Sequence, residues 1–199
     1  MDQPLTASFY DRPVLDVARD LLGKRLVRKL GSHILAGLIS ETEAYRGEED
    51  LACHARAGRT PRTIVMYGPP GIAYVYFTYG MHWCLNCVTG PEDFPAAVLL
   101  RALEPRDGLD EIAKRRPGRS PAEWCSGPAR LCQALSIDKD LNGKPLTTQQ
   151  SGLWIEEGIP VEDNWVSTGP RVGINQVPEP WRSIPWRFRV SFPRSTDST

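Results

Sequence analysis

Between Asp50 and Glu92 the chain has no acidic residue, and the gap holds Arg56, Arg59 and Arg62. Other features are missing as well. There is no Gly-x-Gly-x-x-Gly or Walker loop, which excludes the common glycine cradles for nucleotide phosphates. No Gly-x-Ser-x-Gly elbow presents a serine nucleophile. The His-x-Glu and Pro-Cys-x-x-Cys pair of zinc deaminases is absent. No apolar run approaches the roughly 20 residues of a membrane span. Met1–Tyr10 is polar and lacks the apolar core of a secretion signal. The five cysteines, an odd number, cannot all pair internally, which fits reduced thiols in an intracellular compartment. The formal net charge is zero, so attraction to a polyanion must come from a local basic face.

At 199 residues the chain is long enough for one domain with a substantial core. Eighteen prolines and seventeen glycines interrupt it too often for a helix bundle and favour an α+β fold. Val14, Val17, Ala18, Leu21 and Leu22 recur at helical spacing, with Asp11 as a cap, Pro13 in the first turn and Gly23 as the stop. Strands are expected near Leu26, over Ile34–Ala44, Ile72–Thr78, Ala96–Leu103, Leu153–Ile155 and Arg187–Phe192. Short helices are expected over Asp107–Lys114 and after Ser126-Gly127-Pro128. Met1–Ser8 and Pro193–Thr199 read as loose ends.

Chemistry concentrates between Glu41 and Asn86. Strand alternation puts Glu41, Glu43 and Tyr45 on one face. Two such acids could form a glycosidase pair, or simply a solvated strand edge. Glu43 follows an apolar run and precedes an aromatic residue, so burial would raise its pKa and make it a better base near neutral pH. Tyr45, His54, Tyr76 and Tyr79 could supply π faces for a flat ligand, although tyrosines at strand spacing also serve as core. Arg56, Arg59 and Arg62 with Thr60 lie in a turn-rich loop suited to phosphate, or to plain solvation. Cys84-x-x-Cys87 near His82 raises zinc, but in an apolar strand these thiols read as buried small hydrophobes. Tyr74 likewise reads as core.

Taken in order, these residues resemble the alkyladenine (3-methyladenine) DNA glycosylases of the methylpurine glycosylase family, in their compact bacterial form. The resemblance is carried by Glu41-Thr42-Glu43-Ala44-Tyr45, Cys53-His54, Gly58-Arg59-Thr60-Pro61-Arg62, Tyr74-Val75-Tyr76, Tyr79-Gly80-Met81 and Asn86. It continues through Val98–Pro105, Cys125-Ser126-Gly127-Pro128, Leu131–Leu135 and Arg171-Val172-Gly173, and covers about Phe9 to Phe192.

The resemblance implies a single mixed α/β domain on a curved antiparallel sheet with flanking helices, distinct from the helix-hairpin-helix glycosylases. It implies hydrolysis of the N-glycosidic bond of damaged purines in double-stranded DNA: 3-methyladenine, 7-methylguanine and, as further candidates, hypoxanthine and ethenoadenine. Glu43 matches the general base, Arg101 the arginine beside the water, and Val172 a backbone carbonyl holding that water. Tyr45, His54, Tyr76 and Asn86 match the base pocket, and Tyr79 matches the wedge filling the vacated stack. Arg59, Arg62, Gly80, Met81 and His82 match DNA-contacting segments. No lysine lies in the matched motifs, so a monofunctional hydrolase is expected, without metal or cofactor. It is expected to act as a monomer beside the chromosomal DNA, in the cytoplasm or, in a eukaryote, the nucleus. A non-catalytic damaged-DNA-binding protein is the alternative.

Overall fold

The computed structural model describes residues 3–193. Among these, eight strands form one antiparallel sheet: β1 (Arg25–Leu30), β2 (His33–Arg46), β3 (Ala73–Thr78), β4 (His82–Val88), β5 (Ala96–Asp107), β6 (Leu153–Glu156), β7 (Val166–Gly169) and β8 (Arg187–Val190). The helices are short: α1 (Ala7–Tyr10), α2 (Val14–Asp20), α3 (Leu109–Arg115) and α4 (Pro128–Ala134). The main path runs β3-β4-β5-β2-β1-β6, with β8 beside β2 and β7 beside β8.

β2 organises this sheet. Its first half pairs with β1, and Glu41–Glu43 pairs with β8, so one edge of the strand changes partner along its length. β5 covers the other edge from Ala36 to Arg46. Ile39 faces Leu103, Glu41 faces Ala102 and Thr42 faces Leu100. Ser40 of β2 and Arg101 of β5 are therefore extra residues, and a further register shift skips Arg106 of β5. A bulge adds twist and redirects its side chain. Here it places Arg101 between the two glutamates.

The two-residue period of the strands divides the sheet into two faces. Ala44, Val75, Leu85, Cys87, Val98 and Leu100 share the main core with Val14, Val17 and Ala18 of α2, with Leu131 and Cys132 of α4, and with Leu135 just after it. Thr42 lies on this side too, its hydroxyl donating to the Ala18 carbonyl at 2.8 Å. Residues offset by one, including Tyr45, Tyr74, Tyr76, Asn86 and Leu99, point to a cavity on the opposite face.

Several local expectations change. α2 begins at Val14 with Pro13 as its N-cap, because Asp11 instead ends α1, its N–H donating to the Ala7 carbonyl at 2.9 Å. β5 extends to Asp107, since β2 continues to pair with it past Leu103. β7 was not anticipated; it is half exposed, and its ladder comes only from β8. The amino end is not loose from Pro4 onward. Pro4 bridges Glu156, and buried Leu5 donates to the Ile155 carbonyl at 2.8 Å. The remainder of the expected loose ends, residues 1–2 and 194–199, lies outside the described residues. All five cysteines are buried free thiols.

Candidate active site

Glu43 has no exposed surface. Its Oε1 accepts from the Val172 backbone N–H at 2.7 Å, and its Oε2 from the Tyr45 hydroxyl at 2.9 Å. Arg101 Nη1 stands 3.4 Å from Oε2. Burial pushes the Glu43 carboxyl above the usual carboxylate range, and nearby Glu41 adds to the rise. Arg101, the Val172 N–H and the Tyr45 hydroxyl oppose it. Tyr45, Arg101 and Val172 all line a cavity of about 460 Å³, with Glu43 directly behind them. The size is in the range of small-molecule pockets.

Rings form much of the wall. His54 and Tyr76 meet edge to face with centroids 4.5 Å apart, and Tyr74 and Tyr76 lie 5.4 Å apart. His54 Nδ1 is 3.0 Å from the Tyr74 hydroxyl, and its Nε2 is 3.4 Å from Arg62 Nη2. A guanidinium can only donate, so Nε2 is the acceptor and Nδ1 carries the proton. Burial and the nearby Arg62 and Arg56 charges lower the His54 pKa to about 4, leaving the imidazole neutral near pH 7. Asn86 is buried at the floor, its amide nitrogen donating to the Tyr74 carbonyl at 3.0 Å.

The mouth is the β3–β4 hairpin. Tyr79 and Gly80 both have positive φ, and the Met81 N–H donates to the Thr78 carbonyl at 3.1 Å. Positive φ at both central residues belongs to the mirror-image turns that hairpins favour, and it is strained for a tyrosine. Tyr79 is 82% exposed and Met81 68%, so two large apolar side chains stand in solvent at one tip. Tyr79 and His82 also line the cavity.

The structure sorts the remaining expected residues. Arg62 lies over the Tyr76 ring at 5.2 Å, beside the cavity. Arg59 is turned away; it pairs with Asp93 at 2.6 Å and stacks on Tyr67 at 4.2 Å. Tyr74 and Cys84 are buried as core would be, but they line the cavity. Cys84 and Cys87 are three apart on β4 and so face opposite sides of the sheet, which prevents a shared metal ion. Among the described residues no cluster of three or more His, Cys, Asp or Glu side chains could hold one.

Sequence reasoning missed the Asp50–Arg171 pair. Both side chains are fully buried, joined by bonds of 2.5 and 2.9 Å. Arg171 also donates to the carbonyls of Ala44 at 3.0 Å and Trp181 at 3.3 Å. Its guanidinium lies 4.7 Å from the Tyr45 ring centre and 5.2 Å from that of Trp186. The pair thus braces both Tyr45 and the loop that delivers Val172. The sequence marked each partner separately, Asp50 as the last acid before the long acid-free stretch and Arg171 as the first residue of Arg171-Val172-Gly173, but nothing in it joined them.

Fold and cavity define an α+β protein with an aromatic-lined cavity backed by a buried carboxylate. Known sequences specify it further. The family described as Methylpurine-DNA glycosylase (MPG) matches residues 8–193. A protein of Carboxydothermus hydrogenoformans is 50% identical over 184 residues, covering 92% of this chain and 93% of that protein. One from Methanocella arvoryzae is 49% identical, covering 92% and 90%, and one from Myxococcus xanthus is 47% identical, covering 94% and 89%. All three bear the name "Putative 3-methyladenine DNA glycosylase". The chain belongs to the methylpurine-DNA glycosylase family and is a hydrolase of the DNA glycosylase class, acting on damaged DNA. None of its described helices is long and apolar enough to cross a membrane.

Proposed function

We propose that the enzyme extrudes alkylated purines, 3-methyladenine and 7-methylguanine first, from duplex DNA into the aromatic cavity. There it hydrolyses the N-glycosidic bond and leaves an abasic site for base excision repair. Hypoxanthine and ethenoadenine are further substrates of this reading. It acts as a monomer, in the compartment that holds the chromosome. The observation that carries it is the fully buried Glu43, placed behind the cavity wall and held by Tyr45, Arg101 and Val172.

The target bond is out of reach within a stacked duplex, so the nucleotide must leave the stack. Tyr79, exposed at a tight turn, fills the gap and offsets part of the lost stacking. Met81, Gly80 and His82 follow the backbone beside it, and Arg62 meets a phosphate near the cavity mouth. Arg59 joins this contact only by releasing Asp93, an exposed pair worth little. Tyr45, His54 and Tyr76 embrace the base. A neutral His54 puts no positive charge against a cationic alkylated purine. Asn86, fixed by its bond to the Tyr74 carbonyl, crowds the exocyclic amine of normal guanine.

As the bond to the base breaks, the sugar approaches an oxocarbenium ion. Ionised Glu43 stabilises that charge and takes a proton from the attacking water, which Arg101 and the Val172 carbonyl hold. A raised pKa suits a base working near neutral pH. No lysine lines the cavity to form a Schiff base, so no strand cleavage follows. The test is Glu43→Gln. Base release from duplexes carrying 3-methyladenine should fall by about 10²- to 10⁴-fold while damaged-duplex affinity persists. Full activity in that variant would sink the mechanism. A wild-type enzyme that binds but releases no base would instead favour a binding protein.

A further inference from the structure

We infer that Glu41 is a positioning residue that holds Arg101 beside Glu43 without letting the two close into a two-pronged ion pair. This rests on the reading that Glu43 activates the water. Arg101 Nε donates to Glu41 Oε1 at 3.0 Å, a proper hydrogen bond. Its Nη1 stands 3.4 Å from Glu43 Oε2, close enough for charge attraction but longer than a good N–H···O bond. An arginine and a carboxylate left alone prefer a bidentate fork with two parallel N–H···O bonds. Glu41 takes the Nε edge of the guanidinium, which leaves only its Nη end toward Glu43, and there Oε1 is already held by the Val172 N–H, so Arg101 meets Oε2 alone. Arg101 is the bulged residue of β5, standing between the positions opposite Glu41 and Thr42, and the bulge lets it serve both acids.

Glu41 does not touch the base cavity. It lines a second cavity, of about 720 Å³, on the far side of Arg101, and Arg101 lines both. Its effect on the reaction therefore passes through Arg101. Glu41 is itself anchored from β8 by Arg187 Nη1 at 3.5 Å and Arg189 Nε at 4.0 Å. Three arginines around one carboxylate hold it in place, with its side chain 17% exposed.

Loss of the Glu41 charge has a defined consequence. The groups facing Glu43 are Glu41 and Tyr45 from β2, Arg101 from β5, Cys84 from β4, Arg187 opposite it on β8, the Val172 N–H, and Arg171 beneath Tyr45. Without Glu41 the repulsion on the Glu43 anion disappears, and Arg101 is free to swing into a bidentate pair with it. Both changes stabilise the ionised carboxylate, making it a weaker base whose oxygens are occupied.

The experiment is single-turnover base release on a duplex carrying 3-methyladenine, across pH, with Kd for that duplex and Tm measured in parallel. Glu41→Gln keeps an oxygen for Arg101 Nε but removes the charge, and Glu41→Ala removes both. In Glu41→Ala the rate should fall about 10- to 100-fold, with Kd within about two-fold of the parent. The acidic limb of the rate profile should move to lower pH in both variants. Glu41→Gln should recover part of the rate but not the position of the limb. An unchanged rate and limb in both variants would overturn the inference. So would Kd and Tm falling in step with the rate while the limb stays put, since that marks a structural role. A loss as deep as that of Glu43→Gln would assign Glu41 a reacting role instead. Glu43→Gln run in the same series separates the two levels. If it is inactive while the Glu41 variants are normal, only this inference fails; if it is active, the reading of Glu43 fails as well.

Discussion

The Val172 N–H donates to Glu43 Oε1 at 2.7 Å across 129 positions of sequence. One residue earlier, Arg171 is locked to Asp50 and stacked on Tyr45, whose hydroxyl bonds the other oxygen of Glu43. Both oxygens of the carboxylate are thus oriented by groups that the same buried ion pair braces. The geometry of the site and the stability of the fold are coupled through Asp50–Arg171.

Breaking this pair should therefore cost both stability and activity. Asp50→Asn removes one charge from a fully buried pair, and such losses run to about 3–5 kcal/mol. For a chain of this size that is a fall in Tm of roughly 6–20 °C. Thermal unfolding followed by circular dichroism checks it, and an unchanged Tm would contradict the bracing role.

Base release should show an acidic limb above the ordinary glutamate pKa of 4.5, because burial raises the Glu43 carboxyl and only its anion accepts a proton. Tyr45→Phe removes a hydrogen bond that favours the anion, so its limb should lie higher still. Single-turnover rates between pH 4 and 9 on a duplex carrying 7-methylguanine measure both. A Tyr45→Phe limb at lower pH than wild type would reverse the assigned effect.

His54 should titrate near pH 4 rather than 6.5, which an NMR titration of the imidazole would show directly. A lowered histidine pKa means that the unfolded state binds the proton more readily. Stability from this group is therefore lost as pH falls below 6.5, and the loss is complete below about 4. The full effect is about 3 kcal/mol. Glu43, with a raised pKa, acts in the opposite sense, adding stability as pH falls through its folded value. Comparing wild type with His54→Gln in urea melts at pH 7 and pH 4.5 isolates the histidine. An identical pH dependence in the two proteins would show that His54 is not held neutral.

Tyr79→Ala should leave Tm within about 0.5 kcal/mol equivalent of wild type, since an 82% exposed side chain supports little packing. Activity on duplex DNA should nevertheless fall about ten-fold or more, as unstacking costs a few kcal/mol per step and the wedge offsets part of it. Single-stranded substrate needs no wedge and should be far less affected. Equal losses on both substrates would remove Tyr79 from the flipping step.

Much of the scaffold was legible along the chain. The β-branched and aromatic residues of β2 and β3, the apolar run of β5, the glycine-proline turn before β3 and the period-two order of Glu43 and Tyr45 all signal themselves locally. Asp11 was misread because Ser, Asp and Pro suit several neighbouring roles at a helix boundary, and only the Ala7 hydrogen bond selects one. Pro4 and Leu5 looked like a loose end because their anchor, β6, lies some 150 residues away in the chain, at Ile155 and Glu156. The bulges at Ser40 and Arg101 carry no glycine or proline to mark them, and register depends on both strands at once.

By itself the sequence determined the chemical inventory: two glutamates on one strand, a set of rings at strand spacing, a tyrosine at a tight turn, and the family to which their order belongs. Alternation alone treats Glu41 and Glu43 alike; the apolar and aromatic neighbours of Glu43 and the family resemblance favoured it as the base. The tertiary structure supplies the physical difference between the two. Glu43 loses all contact with solvent and is held by Val172 and Tyr45, whereas Glu41 faces a second cavity among three arginines. Burial and charge pairing are set by segments that approach from β5, β8 and the loop at Arg171, and no local pattern encodes which of two like side chains those distant groups will enclose.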